Sequence, residues 1–369
     1  MTVTTDLPVD PALPGLAAIR AKGLAGAIPE LGLDDRPVEL QLCSHAPGSR
    51  ATFEVRAGER RFALKLYADD AASEAELYGA LTRAGLAGDR GARVPRLLTW
   101  ERDLGVLALG WLEGQPANDL IKSGRGARAG ELAASWLWRA AALPVTLGPP
   151  CGAGRMLYQA GVAVAALGSV DPGLGAAARV VARSLGRGQP KEGAARLVHG
   201  TLYARHILDL GDGPGLIDWQ QFGQGPVEVD AGMFLATISR LALRRPSCAG
   251  EVARAEEAFL GGTRGLLDER TLEWYRAAGL LHLAARGLKT RQQRDPPPEA
   301  RALVDEAARR NAQPAAWSEP AGRVEAPARF ATFRTPALEL LLQALATRPA
   351  TPEELDQIRK LLDESAARR

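Results

Sequence analysis

His199-Gly200-Thr201-Leu202-Tyr203-Ala204-Arg205-His206-Ile207-Leu208, followed by Leu216-Ile217-Asp218-Trp219, says more about the architecture than any other part of the chain. Two short hydrophobic strands flank a polar loop, and Asp218 stands twelve residues beyond His206. A carboxylate leaving the end of a buried strand is costly unless a cation partners it. Asp218 therefore reads as a metal-binding residue, with a structural turn aspartate as the alternative.

Upstream, the pattern is that of strands. Residues 38–42 alternate, Pro47-Gly48 supplies a turn, residues 51–55 alternate again, Gly58-Glu59 turns, and Phe62-Ala63-Leu64-Lys65-Leu66-Tyr67 forms a third strand. A helix is predicted over 71–84, then strands over 95–100 and 106–112 around the Asp103-Leu104-Gly105 turn. Beyond Gly114 the chain is alanine-rich and helical, interrupted by the segment 199–225. Helices are predicted over 130–142, 155–167, 175–185, 229–243, 248–262, 268–291, 299–311 and 352–367, the last opened by a Thr351-Pro352-Glu353-Glu354 capping box. Residues 295–298 and 313–325 read as surface connections.

This layout resembles the aminoglycoside phosphotransferase and choline kinase family, whose loop usually reads His-Gly-Asp-x-x-x-x-Asn ahead of Ile-Asp-Trp or Ile-Asp-Phe. The resemblance runs from about residue 39 to 293 and implies an α+β, protein-kinase-like fold. Its small N-lobe is an antiparallel sheet with one helix, and its larger C-lobe is mainly helical. The implied organisation is an N-terminal extension (1–36), an N-lobe (37–112), a C-lobe (113–312) containing the loop region 199–230, and a C-terminal extension (313–369).

The resemblance implies ATP and Mg2+ as cofactors, and phosphoryl transfer asks mainly for positioning and charge neutralisation. Lys65 matches the third-strand lysine that holds phosphates, and Glu74 the helix glutamate that holds the lysine, with Glu76 as its rival. Alone, each reads better as a solvated charge; their shared place in the β-β-β-α order singles them out. Gly48 and Arg50, in a loop similar to the Lys-Pro-Gly-Arg-Arg type of some bacterial members, are implied phosphate neighbours, with a simple hairpin as the alternative. Gly110, Trp111 and Leu112 fall at the hinge that pairs with adenine. Asp230 matches a downstream aspartate that hydrogen-bonds the loop backbone, a structural role, and His199 matches the residue that anchors the loop.

Two positions depart from the pattern. Thr201 stands where the family has its catalytic aspartate, and a threonine hydroxyl is no base near neutral pH. His206 stands where the family has a metal-binding asparagine. It reads as a metal ligand through a ring nitrogen, as a base reaching back, or as a residue positioned by loop hydrogen bonds, and magnesium prefers oxygen ligands. The function expected is an ATP- and magnesium-dependent phosphotransferase acting on a small-molecule hydroxyl. The alternative is a pseudokinase, a nucleotide-binding or scaffolding module.

Composition bounds the rest. The 369 residues are 46% hydrophobic and 24% charged, which suits a globular protein. A net charge of +3 without a basic, aromatic-laced block argues against a nucleic-acid partner. Cys43, Cys151 and Cys248 are scattered, which argues against a disulfide framework and for a reducing compartment. Residues 1–10 lack the pattern of a secretory signal and no apolar run could span a bilayer, so the expectation is a cytoplasmic protein without membrane partners. Residues 225–311 carry 14 Lys/Arg against 12 Asp/Glu, a balance that suits a neutral or anionic acceptor better than a polycation.

Overall fold

The computed structural model describes residues 3–4, 7–33, 37–286, 288, 296 and 298–312. The helix predicted over 352–367, the connection at 313–325 and part of that at 295–298 lie outside them. The chain opens with β1 (Val3–Thr4) and α1 (Pro14–Ala27), then β2 (Val38–Ala46), β3 (Arg50–Ala57), β4 (Arg60–Tyr67), α2 (Ala72–Arg83), β5 (Leu97–Glu101) and β6 (Val106–Gly110). These strands form one sheet in the order β1-β2-β3-β4-β6-β5, antiparallel throughout except for the parallel β1–β2 pair.

The period of two decides what each face of this sheet does. Phe62, Leu64 and Leu66 on β4, with Val106 and Ala108 on β6, point to one face and form a core with Leu13, Leu16, Ile19, Leu24 and Ile28 of the N-terminal segment. Ala63, Lys65 and Tyr67 point to the other face, where Leu107 and Leu109 pack with Leu77, Tyr78 and Leu81 of α2. The approach of α1 is close: a Cβ at Gly15 would stand 2.4 Å from Val106 Cγ2. The N-terminal segment thus supplies half of the sheet's hydrophobic cover, and the alternation leaves Lys65 on the side of α2.

After β7 (Gln115–Pro116) come α3 (Ala117–Lys122), α4 (Gly126–Ala141), α5 (Ala153–Val170) and α6 (Pro172–Arg187). Four short strands follow, β8 (Arg196–Val198), β9 (Ile207–Asp209), β10 (Pro214–Leu216) and β11 (Gly223–Gly225). Helices α7 (Glu228–Arg244), α8 (Ala249–Gly262), α9 (Glu269–Ala284) and α10 (Ala300–Ala312) complete the described chain. Local chemistry starts the helices: the Asp171 side chain accepts from Leu174 N with Pro172 at the first helical position, and Asp268 accepts from Thr271 N. None of the helices among the described residues is long and apolar enough to cross a membrane.

Among the boundaries that differ from expectation, three have a visible cause. The strand predicted to reach residue 112 stops at Gly110, whose N–H bonds to Arg96 O. Helix α4 begins at Gly126 rather than 130, because Glu251 of the neighbouring α8 accepts from the Gly126 N–H and caps that end from outside. Helix α9 stops at Ala284, short of the predicted 291, as its apolar side gives way to Arg286 and a polar run.

Candidate active site

Lys65 and Glu74 meet on the covered side of the sheet. Lys65 Nζ donates to Glu74 Oε1 at 2.8 Å, and both residues are buried. The other Glu74 oxygen accepts from Tyr67 OH at 2.6 Å, and that hydroxyl accepts from Gln220 Nε2 at 2.9 Å. Glu76 points to solvent, two positions along the helix. At the entry to β3, Arg50 reaches the Gln220 side chain, so the hairpin and the segment after Asp218 are tied together. The hairpin tip is held from behind: Asp10 Oδ2 accepts from the Gly48 N–H at 2.8 Å and from His45 Nε2 at 2.9 Å.

The second half of the cluster is the loop between β8 and β9. Asp230, at the start of α7, accepts from the His199 N–H at 2.6 Å and the Gly200 N–H at 2.9 Å. Gly200 lies at φ +76°, and a Cβ there would fall 2.1 Å from the Gln221 carbonyl oxygen, so only glycine fits this crossing. His199 Nε2 donates to Ile217 O at 2.9 Å. The His206 ring donates from Nδ1 to Thr201 O at 3.0 Å, and the His206 carbonyl accepts from the Ile217 N–H at 3.1 Å. Thr201 itself is half-buried, and its carbonyl also accepts from Tyr203 N at 2.7 Å.

These bonds aim Asp218. It is the sole non-glycine at positive φ (70°) among the described residues, a conformation that costs a residue with a β-carbon roughly 1–2 kcal/mol. Trp219, fully buried and edge-on to Trp136 of α4 at 5.5 Å, anchors the strained turn. Asp218 Oδ1 lies 3.4 Å from Lys65 Nζ, and Oδ2 lies 3.3 Å from His206 Nε2. Burial works to raise the Asp218 carboxyl, but Lys65 beside it holds it well below the usual carboxylate range. Burial, and next the neighbouring His199, push His206 well below an ordinary histidine, so its ring is neutral.

His199 and Asp230 make the loop's anchor pH-sensitive in opposite senses. Burial pushes His199 down to about 4 and Asp230 up to about 7. The neutral His199 ring contributes stability that is present above pH 6.5 and lost as pH falls through 4, on the order of 3 kcal/mol in all. The protonated Asp230 contributes stability that is present below about pH 4 and lost as pH rises through 7. In His199→Gln the first effect disappears and the second remains. The loss of urea stability between pH 7 and 4.5 is expected to be smaller in the variant than in the parent by about 2 kcal/mol; equal losses would mean that His199 does not titrate within the fold.

The structure thus brings Lys65, Glu74, Asp218 and His206 into one cluster with Thr201, and stands His199 and Asp230 behind it. Gly48 sits apart from them, its N–H occupied by Asp10. Gly110 carries on from β6 into Trp111 and Leu112, and the Arg61 guanidinium covers the Trp111 ring at 4.2 Å. Three contributors escaped the sequence reading. Tyr67 was within reach of it, since it shares a strand face with Lys65. Gln220 and Asp10 carry no local signal, because their partners lie 153 and 38 positions away. A cavity of about 660 Å3 opens elsewhere, beside Lys191, Arg196, Glu228 and Asp268, and includes none of the cluster.

Comparison with known proteins bears on this geometry. Residues 45–274 match the model of the APH phosphotransferase enzyme family. No curated protein matches the chain. Among solved structures, aminoglycoside phosphotransferase APH(4)-Ia shares 15% identity over 80% of this chain and 99% of its own, with a TM-score of 0.57. A choline/ethanolamine kinase family protein from Mesorhizobium loti shares 20% identity over 81% and 94%, at 0.52. Spectinomycin phosphotransferase APH(9)-Ia, in complex with ADP and spectinomycin, shares 12% over 73% and 92%, at 0.51. At such identities the likeness shows the fold, a two-lobed protein-kinase-like one.

Proposed function

The chain belongs to the APH phosphotransferase enzyme family, and on that basis we propose that it transfers the γ-phosphoryl group of ATP to the hydroxyl of a small molecule. The observation that carries this reading is the line of charge from Glu74 through Lys65 to Asp218, closed at 2.8 and 3.4 Å within one cluster. Glu74 orients Lys65, which holds the α- and β-phosphates. Arg50 turns from Gln220 to the phosphates, and Trp111 and Leu112 supply backbone contacts to adenine.

Asp218 is the carboxylate for the divalent cation, Mg2+ in the reading that the family resemblance implies. Its half-exposed side chain and the positive Lys65 beside it fit a cation shared with phosphate oxygens. Among the described residues no group of three or more His, Cys, Asp or Glu side chains could hold a metal. Asp218 would hold the cation, whose chemistry is to neutralise the charge that develops on the transferred phosphoryl group. His199, Asp230 and Gly200 keep the loop in place for the acceptor.

Thr201 makes the reaction slow rather than impossible. With a loose transition state the acceptor hydroxyl keeps its proton until late, and a missing base costs a factor of about 10² to 10⁴. The near-balance of charge in residues 225–311 supports a neutral or anionic acceptor. Free Cys43, Cys151 and Cys248, together with the need for ATP, support the cytoplasm as its place of work. A second reading, a nucleotide-binding module without transfer, rests on Thr201 and His206 together.

Calorimetric titration with Mg-ATP tests the proposal. The parent is expected to bind, and Asp218→Ala to bind at least about tenfold more weakly, the loss of about 1.4 kcal/mol. Equal affinity in the two proteins would remove Asp218 from the site.

A further inference from the structure

We propose that His206 Nε2 and Asp218 Oδ2 form a mixed nitrogen and oxygen pair that selects a Mn2+-class cation over Mg2+ at the nucleotide phosphates. The inference rests on the nucleotide-binding reading above and specifies the cation of that same site.

The His206 ring is oriented through Nδ1. Nδ1 lies 3.0 Å from the Thr201 carbonyl oxygen, which only accepts, so Nδ1 carries the proton. Nε2, the other ring nitrogen, faces Asp218 Oδ2 at 3.3 Å. The other carboxylate oxygen already faces Lys65 Nζ at 3.4 Å. Nε2 and Oδ2 thus converge on one gap, and a metal ion placed in it would meet a lone pair from each, taking the place of any proton on Nε2.

The spacing suits a metal ion. Two ligand atoms at right angles, each about 2.1 Å from one cation, stand roughly 3 Å apart. Both groups are also held in advance. The His206 side chain is 4% exposed and pinned through Nδ1, its backbone is bonded to Tyr203 and Ile217, and Asp218 is fixed by its strained backbone and the buried Trp219. A preset imidazole nitrogen suits Mn2+, Co2+ or Zn2+, which accept nitrogen readily, and suits Mg2+ poorly, since it prefers oxygen. The departure at position 206 thus changes which cation the site prefers.

The test uses the full chain with the methylene-bridged analogue AMP-PCP, titrated in Mg2+ and in Mn2+. The Mn2+ to Mg2+ affinity ratio is expected to exceed that of His206→Asn, which restores an oxygen donor, by about tenfold. Because a buried variant is liable to misfold, a second measurement needs none. Pulsed electron paramagnetic resonance of Mn2+ bound with AMP-PCP to the parent should show a directly bound nitrogen whose frequencies change when histidine is labelled with 15N. Bound Mn2+ with no histidine nitrogen in its first sphere overturns the proposal and leaves nucleotide binding standing. So does a selectivity ratio that His206→Asn leaves unchanged. Failure of AMP-PCP to bind with either cation removes both the proposal and the function on which it rests.

Discussion

Thr201→Asp is expected to raise phosphoryl transfer from ATP by about tenfold or more, the lower part of what a positioned base contributes. The substitution touches little of the loop's scaffolding. The Thr201 contacts to Tyr203 and His206 run through its backbone carbonyl, and Asp230 holds the loop through the neighbouring amides. The new carboxylate adds like-charge repulsion toward Asp218, relieved by Lys65 and by a bound cation. Release of labelled phosphate from ATP, scored against Asp218→Ala, gives the answer. No gain in a variant that still binds the nucleotide would mean that the absent carboxylate is not what limits the chain. Fast turnover by the parent would retire the module reading altogether.

Lys65→Met should have the largest effect on the fold itself. Lys65 and Glu74 are 7% and 3% exposed, so removing the ammonium leaves a buried carboxylate with only the Tyr67 hydroxyl. Breaking such a pair costs about 3–5 kcal/mol, a large share of the roughly 5–15 kcal/mol that holds a domain together. Lys65→Met combined with Glu74→Gln should recover most of this, because the amide oxygen keeps the Tyr67 bond and position 74 carries no charge, which leaves the half-exposed Asp218 as the one carboxylate deprived of Lys65. Both variants lose the phosphate contact, so ATP binding weakens by about 1.5–3 kcal/mol in each. Urea midpoints separate the two effects. A cost below about 1 kcal/mol for Lys65→Met alone would mean that water reaches the pair.

The fold was legible wherever a periodic pattern ran long enough. Alternation in residues 62–67 assigned Lys65 to the face opposite Phe62, Leu64 and Leu66, and the position of Glu74 one turn into the next helix followed from order alone. Helix ends set by a distant partner were not legible. Glu251 caps α4 from 125 positions away, and nothing near Gly126 announces it. The same holds in the site. Asp218 stood out because a short strand and a tryptophan bracket it, yet its positive φ, the ring nitrogen that His206 turns toward it and the Asp10 clamp on the hairpin all arise from tertiary contacts. Spacing shows which residues could meet; it does not show which atom of each one faces the other.

The sheet's second face carries a lesson about boundaries. The segment by which the family is recognised begins at residue 45, near the end of β2, yet Leu13, Leu16, Ile19 and Leu24 cover Phe53, Phe62 and Leu64, and Asp10 holds the hairpin tip. A piece trimmed to the recognisable segment would bare an apolar sheet and free the hairpin tip that Asp10 holds. What is inherited as a signature and what stands alone as a mechanical unit are different lengths of this chain.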